Sequence, residues 1–252
     1  MPHHISASSA LSGDRPGDPL ALLVRRLQNF SGRLLREDLT DVILMQKHFE
    51  RDHPSWSERG DLANLFILER GFAFKFEILP NGQRHIADFY GPGAICNWSR
   101  LNAFAQQDDI VFKARTLVTL VDPAKLSALL DERPGIASAF KRHELARAMR
   151  TTQRIRTLIS RSATEKMSML LLDVLDEHNT IGVTPHWFTL PFTHQELADL
   201  LGITMVHVNR TFARLEDEGV IERERRLIRV INAKRLREAL AYRSFFRTGD
   251  AA

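Results

Sequence analysis

The chain has 252 residues, enough for one large domain or two ordinary ones, and its 44% hydrophobic and 26% charged residues are typical of a soluble globular protein. No apolar run approaches the ~18 residues that a membrane span needs, and the N-terminus lacks the basic-then-apolar order of a secretory signal. Its single cysteine, Cys96, excludes an intrachain disulfide and multi-cysteine zinc or iron–sulfur sites. These features predict a cytoplasmic protein.

The net charge of +4 conceals a split along the chain. Residues 1–132 hold 15 basic and 17 acidic side chains, whereas residues 133–252 hold 20 and 14. A basic C-terminal half suggests an anionic partner. Solvation of helical faces is the simpler explanation of the charge taken alone.

Two helices are predicted near the N-terminus, after a segment (1–18) whose Ser, Gly, Pro and Asp content predicts disorder. Apolar residues recur at helical spacing from about Pro19 onward. A second helical pattern covers about 36–50. The positions that define the two patterns are Leu20, Leu23, Val24 and Leu27, then Leu39, Val42, Ile43, Met45 and Phe49.

The pattern changes to short strands between about 60 and 121. Alternating apolar residues in Phe72–Leu79 are followed by Pro80-Asn81-Gly82, and Asn-Gly is a strong hairpin turn because both residues accept positive φ. Further strands are predicted at Leu62–Leu68, 83–90, 110–112 and 116–121. Strands at this spacing predict a small β-barrel or roll.

Helical periodicity returns at Pro123, and Pro134–Ser160 is predicted to form one long helix. It carries a narrow apolar stripe of the coiled-coil kind, formed by Leu145, Ala148, Thr152, Ile155 and Ile159. Such a stripe is either a pairing seam or a buried connector, and heptad spacing favours a homodimer seam. Ser162 and Glu165 then have capping-box spacing before the apolar helical stretch Met167–Leu175.

Residues 193–219 are typical of a helix–turn–helix. Thr193 and Glu196 form a second capping box, Gly202 ends the first helix, Thr204 caps the second and Gly219 ends it. The predicted inner faces are Leu197, Ala198 and Leu201 on the first helix, and Val208, Phe212 and Leu215 on the second.

The outer face of the second helix is the predicted base-reading surface, formed by Met205, Val206, His207, Asn209 and Arg210. Arg can pair with guanine O6 and N7, and Asn with adenine N6 and N7, when such a helix enters the major groove. The alternative is an ordinary helical hairpin with a solvated Arg. Two caps, a turn glycine and the basic C-terminal half favour DNA binding.

Phosphate contacts are predicted on both sides of that helix. Val220-Ile221 and Leu227–Ile231 are predicted strands of a β-wing, whose arginines suit phosphate contact. Free N–H groups at helix N-termini suit it as well. The predicted phosphate-contacting residues are Thr193, Gln195, Thr204, Arg223, Arg225 and Arg226.

The run from Leu190 to Ile221 resembles the winged helix of the Crp/Fnr superfamily (cyclic-AMP receptor protein/fumarate–nitrate regulator), and the resemblance extends over about residues 20–245. It implies an α+β fold: a β-roll sensor (19–132), a dimerisation helix (133–160) and a winged helix-turn-helix domain (161–248). It further implies a bacterial, homodimeric transcription factor that binds double-stranded DNA at a near-palindromic operator, with RNA polymerase as a candidate further partner.

Position by position, the resemblance assigns base reading to Val206, Asn209 and Arg210, with Met205 adjacent. Many members have Glu at position 206, which accepts a hydrogen bond from cytosine N4, whereas Val can only touch a thymine methyl. The half-site is therefore expected to differ from the usual family consensus. The Val-His-Val-Asn-Arg sequence at 206–210 resembles a subgroup without a known shared effector.

The sensor half departs from the cyclic-AMP-binding pattern. Phe89–Gly93 resembles the turn before the family's ligand-binding segment, but cyclic-AMP-binding members carry Gly-Glu and a downstream Arg-Ser/Thr. Here Gly93 precedes Ala94, and Arg100 precedes Leu101. A phosphate without a paired Arg or a nest of N–H groups is poorly held. The sequence predicts a signal other than cyclic AMP and no cofactor; the cysteine cluster of iron–sulfur sensors is absent.

Several alternatives remain open from sequence alone. His85 and Cys96 are candidate haem ligands, and Cys96 is a candidate redox group. A cupin-like metal enzyme would need a His-x-His pair, but the only neighbouring histidines are His3 and His4. No nucleophile elbow or glycine-rich nucleotide-binding turn is present, so no enzyme is predicted. A regulatory subunit that does not bind DNA conflicts with the intact winged helix.

Overall fold

The computed structural model describes residues 19–31, 36–56, 63–102 and 109–246. Within these ranges the N-terminal half is a β-roll of two four-stranded antiparallel sheets, in the orders β1-β8-β3-β6 and β2-β7-β4-β5. The predicted disorder of residues 1–18 lies outside the described residues. The strands are β1 (Ile43–Phe49), β2 (His53–Ser55), β3 (Leu65–Arg70), β4 (Ala73–Ile78), β5 (Arg84–Tyr90), β6 (Ile95–Cys96), β7 (Asp109–Phe112) and β8 (Thr116–Val121).

The predicted β4–β5 hairpin is confirmed. Its strands pair from Ala73 opposite Tyr90 to Ile78 opposite Arg84. At the turn Gly82 has a φ of 79°, and its N–H donates to the Leu79 carbonyl at 2.8 Å. The turn therefore forms from local chemistry, as the Asn-Gly pair predicts.

The helix predicted over 36–50 is wrong. A 3-10 helix covers Arg36–Val42, and the chain then enters strand β1, which pairs antiparallel with β8 from Ile43 opposite Val121 to Phe49 opposite Thr116. Leu44 and Met45 are about half exposed on this edge strand. Pairing with a strand some 75 residues away overrides the local spacing of apolar residues.

The predicted first helix and the predicted long helix are confirmed. The helices are α1 (Ala21–Gln28), α2 (Pro123–Glu132), α3 (Pro134–Ser160), α4 (Ala163–Thr180), α5 (His194–Leu201), α6 (Met205–Asp217) and α7 (Ala233–Leu240). Of the later helices, all except α3 have a side-chain N-cap, and Ser162 makes the predicted capping box with Glu165. The C-terminal sheet has the order β10-β11-β9, with strands Ile221–Glu224, Leu227–Val230 and Phe188–Thr189.

Helix α3 has two contrasting faces along its 27 residues. All five residues of the predicted seam are exposed, and Ile155 and Ile159 keep 53% and 81% of their surface. The opposite face buries Arg147, Arg150 and Arg154. In the described part of the chain, no helix is both long and apolar enough to cross a bilayer.

One hydrophobic core joins the β-roll to the C-terminal half. Phe74 and Phe89 of the β-roll belong to the same cluster as Leu171 of α4 and Leu197 of α5. Helix α5 therefore packs against β5 of the β-roll as well as against α6.

Candidate nucleic-acid interface

Helix α5 is fixed by the predicted capping box. The Thr193 hydroxyl accepts from the Glu196 N–H at 3.2 Å, and the Thr193 N–H donates to Glu196 Oε2 at 2.7 Å. The buried Glu196 carboxylate also pairs with Lys113 Nζ of the β-roll at 2.9 Å. Gly202 ends the helix with a φ of 62°, a left-handed conformation that suits glycine.

Helix α6 begins where the sequence predicts. The Thr204 hydroxyl accepts from the His207 N–H at 3.2 Å and so caps the first turn. Val208, Phe212 and Leu215 are buried toward α4 and α5. These three positions and the buried Thr211 lie on one face, so residues on the opposite face, including Asn209 and Arg210, point away from the protein.

All five predicted base-reading residues lie on that outward surface and are exposed: Met205, Val206, His207, Asn209 and Arg210. Met205 and Val206 keep 48% and 57% of their surface, which is unusual for apolar side chains. Within the described ranges, no hydrogen bond or ion pair engages the side chains of Asn209 and Arg210. Their polar groups are therefore available to a ligand.

The three predicted phosphate-contacting arginines of the wing lie in two different environments. Arg225 and Arg226 are exposed at the turn between β10 and β11, and Arg225 has a φ of 56°. Arg223 instead lies 4.8 Å from the Phe212 ring centroid and pairs with Glu216 at 3.3 Å. Arg223 therefore holds the wing onto α6, while the other two arginines extend from it.

The predicted phosphate-contacting residues at the helix N-termini are exposed but have internal partners. Thr193 and Thr204 use their hydroxyls as helix caps. Gln195 donates from Nε2 to Asp199 Oδ1 at 2.8 Å, and Asp199 also pairs with Arg84 at the start of β5. A phosphate at this end of α5 would meet backbone N–H groups more readily than free side chains.

A buried ionic cluster, which the sequence analysis missed, lies between α3, α4 and β5. Asp88 of β5 pairs with Arg147 and Arg154 of α3, the latter at 2.8 Å. Burial alone would raise the pKa of Asp88, but the guanidiniums of Arg147, Arg150 and Arg154 hold it well below its usual range. Asp88 is therefore a carboxylate in the folded protein.

Glu177 of α4 is the second anion of the cluster. It pairs with Arg26 of α1 and Arg150 of α3, and all three side chains are buried. Burial opposes its charge, but the two guanidiniums keep the pKa of Glu177 well below its usual range. The spacing of Arg147, Arg150 and Arg154 opposite the seam was the only signal of this cluster in the sequence.

The cluster changes how the basic charge of the C-terminal half is interpreted. Arg147, Arg150 and Arg154 face buried carboxylates, and Arg237 pairs with Asp176 at 2.6 Å. These four cations are engaged within the protein. These four arginines are therefore not available to an external anion, although the net excess in 133–252 changes little because Asp173, Asp176 and Glu177 lie in the same half.

The loop after β5 contacts this cluster directly. The Gly91 N–H donates to Glu177 Oε2 at 3.1 Å, and the Pro92 carbonyl accepts from Arg26 Nη2 at 2.8 Å. A Cβ at Gly91 would lie 2.6 Å from Glu177 Oε2, and one at Gly93, where φ is 78°, would lie 2.6 Å from the Leu22 carbonyl oxygen. The loop is therefore in close contact with both α1 and α4.

The candidate haem and redox residues are not brought together. His85 is exposed on β5, opposite Glu77, whereas Cys96 is fully buried on β6 in the other sheet. Burial raises the pKa of the Cys96 thiol, which disfavours the reactive thiolate. Among the described residues, no group of three His, Cys, Asp or Glu side chains is arranged to hold a metal ion.

The C-terminal geometry coincides with a known domain: residues 165–239 match the family model described as the Crp-like helix-turn-helix domain. The match covers the capping box, the turn glycine, the exposed face of α6 and the wing.

Relatives extend the similarity beyond this domain. The nitrogen fixation regulation protein FixK of Bradyrhizobium diazoefficiens is 25% identical over 174 residues, 69% of this chain and 73% of that protein. The transcriptional activatory protein AadR of Rhodopseudomonas palustris is 28% identical over 189 residues, 74% of this chain and 77% of that protein. These proteins are regulators, in agreement with the expectation of a regulator rather than an enzyme.

Solved structures support the fold over most of the chain. FixK2 from Bradyrhizobium japonicum aligns with a TM-score of 0.63 at 18% identity, over 77% of this chain and 96% of that one. TTHB099, a transcriptional regulator of the CRP family from Thermus thermophilus, aligns with a TM-score of 0.59 at 21% identity, over 77% and 96% of the two chains. The predicted order of β-roll, long helix and helix-turn-helix is confirmed.

Proposed function

We propose that the chain is a DNA-binding transcriptional regulator of the Crp/Fnr type that works in the cytoplasm as a homodimer on a near-palindromic operator. The observation that carries the proposal is the outward face of α6. It exposes apolar Met205 and Val206 beside polar Asn209 and Arg210 on a helix whose other face is fully buried. Such a face suits the floor of a major groove.

Each residue of that face has a chemical role in the proposal. Arg210 donates two hydrogen bonds to a guanine, and Asn209 pairs with an adenine. Val206 contacts a thymine methyl, so the half-site differs from that of members with Glu at this position. The sequence Val206–Arg210 supports our proposal that the chain belongs to a subgroup with Val-His-Val-Asn-Arg in this helix.

Backbone contacts then position the helix on the duplex. Arg225 and Arg226 extend from the wing turn and are exposed. Thr193, Gln195 and Thr204 lie at the N-terminal ends of α5 and α6, where backbone N–H groups and the helix dipole favour a phosphate. These contacts fix register and orientation without reading sequence.

The exposed seam of α3 provides the dimer interface. Leu145, Ile155 and Ile159 keep 61%, 53% and 81% of their surface, and the half-exposed Met149 adds to the apolar area. Pairing two such stripes buries this surface as in a coiled coil. A two-fold dimer then presents two α6 helices to half-sites about one helical turn, ~34 Å, apart.

The β-roll serves as the sensor of a signal other than cyclic AMP. Phe89–Gly93 resembles the turn that precedes the ligand-binding segment of cyclic-AMP-binding members, and the sequence after it lacks their Gly-Glu and Arg-Ser/Thr residues. Loop 91–94 contacts Arg26 and Glu177, so it adjoins the C-terminal half. RNA polymerase is the partner through which a DNA-bound dimer would act on transcription.

A gel-shift series on a selected palindrome tests the assignment of α6. Arg210→Ala is expected to weaken binding about 10- to 100-fold, because a bidentate base contact contributes ~1–3 kcal/mol. Arg214→Ala is the matched control, since Arg214 lies on the same helix but pairs with Glu218 at 2.6 Å. Equal binding by Arg210→Ala and the wild type at the same salt concentration would contradict the proposal.

A further inference from the structure

The segment that follows α7 runs from the winged helix back across α3 and ends against α1. We call residues 241–246 the C-terminal strap. Tyr242 and Phe246 are buried, whereas residues 241 and 243, on either side of Tyr242, are exposed. Buried side chains in a segment without helix or strand indicate that it is held by specific contacts.

The first contact is the Tyr242 hydroxyl, which bridges two acidic residues of α4. Its oxygen lies 2.9 Å from Asp173 Oδ1 and 3.0 Å from Asp176 Oδ2, so its one proton can be donated to either carboxylate, while Arg237 of α7 pairs with Asp176. Burial raises the pKa of the Tyr242 hydroxyl well above its usual value, so it stays protonated as a donor. This contact lies within the C-terminal half.

The second contact joins the strap to α3. The Gln153 side-chain amide donates to the Arg243 carbonyl at 3.2 Å and accepts from the Arg243 N–H at 3.1 Å. Gln153 is buried, and its amide pairs with both polar groups of one residue as a neighbouring strand would. The strap backbone is therefore fixed in position across the long helix.

The third contact is a slot between α1 and α3 that holds the Phe246 ring. The ring centroid lies 5.5 Å from the Arg26 guanidinium, 5.1 Å from that of Arg150 and 5.7 Å from the His143 ring centroid. Phe30 and Ala146 complete the slot, and Phe246 keeps only 1% of its surface. Cation–π attraction from these two guanidiniums stabilises the Phe246 ring in the slot.

The slot adjoins the buried ionic cluster. Arg26 and Arg150, which flank Phe246, are the same two residues that hold Glu177 of α4. Charge pairs strengthen when water is excluded. The Phe246 ring therefore shields the contact through which α4 is bound to α1 and to loop 91–94.

We propose that residues 241–246 form an intrachain strap that holds the winged helix against the β-roll, with Phe246 as the side chain that must leave its slot before the two halves can separate. Release of the ring admits water to Arg26 and Arg150 and loosens Glu177. Beyond DNA binding itself, this assigns the C-terminal segment a role in positioning the DNA-reading surface.

Hydrogen–deuterium exchange on the full-length protein tests the strap. Phe246→Ala is expected to speed amide exchange at least tenfold in residues 21–28, 84–92 and 173–180, and to leave the β-roll strands at 109–121 within twofold of the wild type. Arg243→Ala, which truncates an exposed side chain of the strap and keeps the backbone contacts to Gln153, is the control and is expected to change none of these segments by more than twofold. Gln153→Ala removes the hydrogen bonds to the Arg243 backbone and is expected to speed exchange in the same segments.

Two results would overturn the proposal. One is exchange in residues 21–28, 84–92 and 173–180 that stays within twofold of the wild type in both Phe246→Ala and Gln153→Ala. The other is a uniform acceleration that includes residues 109–121, which would mean that the ring serves general core stability. No DNA is present in this measurement, so its outcome is separate from that of the gel shift.

Discussion

Arg26 of α1 and Glu177 of α4 form an ion pair in which both side chains are completely buried, with Nη2 2.5 Å from Oε2. The two residues are 151 positions apart and join the first helix to the segment that matches the Crp-like helix-turn-helix model. Arg150 shares the same carboxylate. A buried group of this kind stabilises the fold only while it is complete, because each member depends on the others for its solvation.

Removal of the shared carboxylate charge is expected to be costly. Glu177→Gln leaves Arg26 and Arg150 buried without their counter-ion and is expected to lower the free energy of unfolding by ~3–5 kcal/mol. The matched control is Glu222→Gln, whose partner Arg229 lies 2.5 Å away with both side chains about 40% exposed. The control is expected to lose ~0–1 kcal/mol, as exposed pairs do. Equal losses in denaturant titrations would contradict the buried pairing.

Stability is expected to fall with acid in two stages. Burial lowers the pKa of His143 and of His178 from the usual 6.5, so below that pH the unfolded chain binds protons that the folded chain does not. The first loss therefore begins near pH 6.5. Asp88 and Glu177 have pKa values held below their usual 3.8 and 4.5, so a second loss begins below about pH 4.5.

His143→Gln isolates the first stage. It removes a group that lies beside Glu144, Arg26 and Arg147, and it is expected to flatten the decline in unfolding free energy between pH 7 and 5. One fewer proton taken up on unfolding reduces the slope by up to ~1.4 kcal/mol per pH unit. An unchanged slope would show that His143 does not contribute.

The exposed wing residue Arg225 is expected to contribute a phosphate contact that does not depend on the base sequence. Arg225→Ala removes an exposed cation and should weaken binding to all sequences alike, lowering the salt slope by about 1. Arg115→Ala, an exposed position in the β-roll, is the control. Fluorescence anisotropy at several salt concentrations measures both. A change in base preference with Arg225→Ala would argue against a phosphate contact.

The α3 seam is expected to control the oligomeric state. Ile155→Asp places a charge within the exposed apolar stripe and is expected to convert a dimer into a monomer in analytical ultracentrifugation. Ser160→Asp introduces the same charge at an exposed neighbouring position that does not belong to the stripe, and is expected to remain dimeric. A dimer that persists in Ile155→Asp would place the interface elsewhere.

Cys96 is expected to be inert in the folded protein. Its side chain is fully buried and its thiol pKa is raised, so a thiol reagent at pH 8 should modify it only after denaturation. DNA binding should likewise survive mild peroxide. Rapid labelling of the native protein would restore the redox hypothesis.

The elements that the sequence predicts correctly are those governed by neighbouring residues. The capping box of Thr193 with Glu196, the Asn81-Gly82 turn and the Gly202 helix end each depend on side chains within four positions. Local backbone chemistry therefore specified the helix–turn–helix and the face of α6.

The features that escaped prediction depend on distant partners. Ile43–Phe49 is a strand because β8 lies beside it, although its apolar residues are spaced as in a helix. Asp88 and Arg154 are 66 positions apart, and nothing near either residue indicates that they meet. Contacts between residues so far apart in the sequence can be recognised only once the fold is known.

Loop 91–94 imposes a final condition on any redesign of this protein. A side chain at Gly91 would collide with Glu177, and one at Gly93 would collide with the backbone of α1 and adopt an unfavourable positive φ. These two positions admit only glycine, whereas Ala94, Ile95 and Cys96 already carry side chains within the β-roll. An engineer who wants the β-roll to recognise a new molecule should vary the positions after 93 and leave both glycines unchanged.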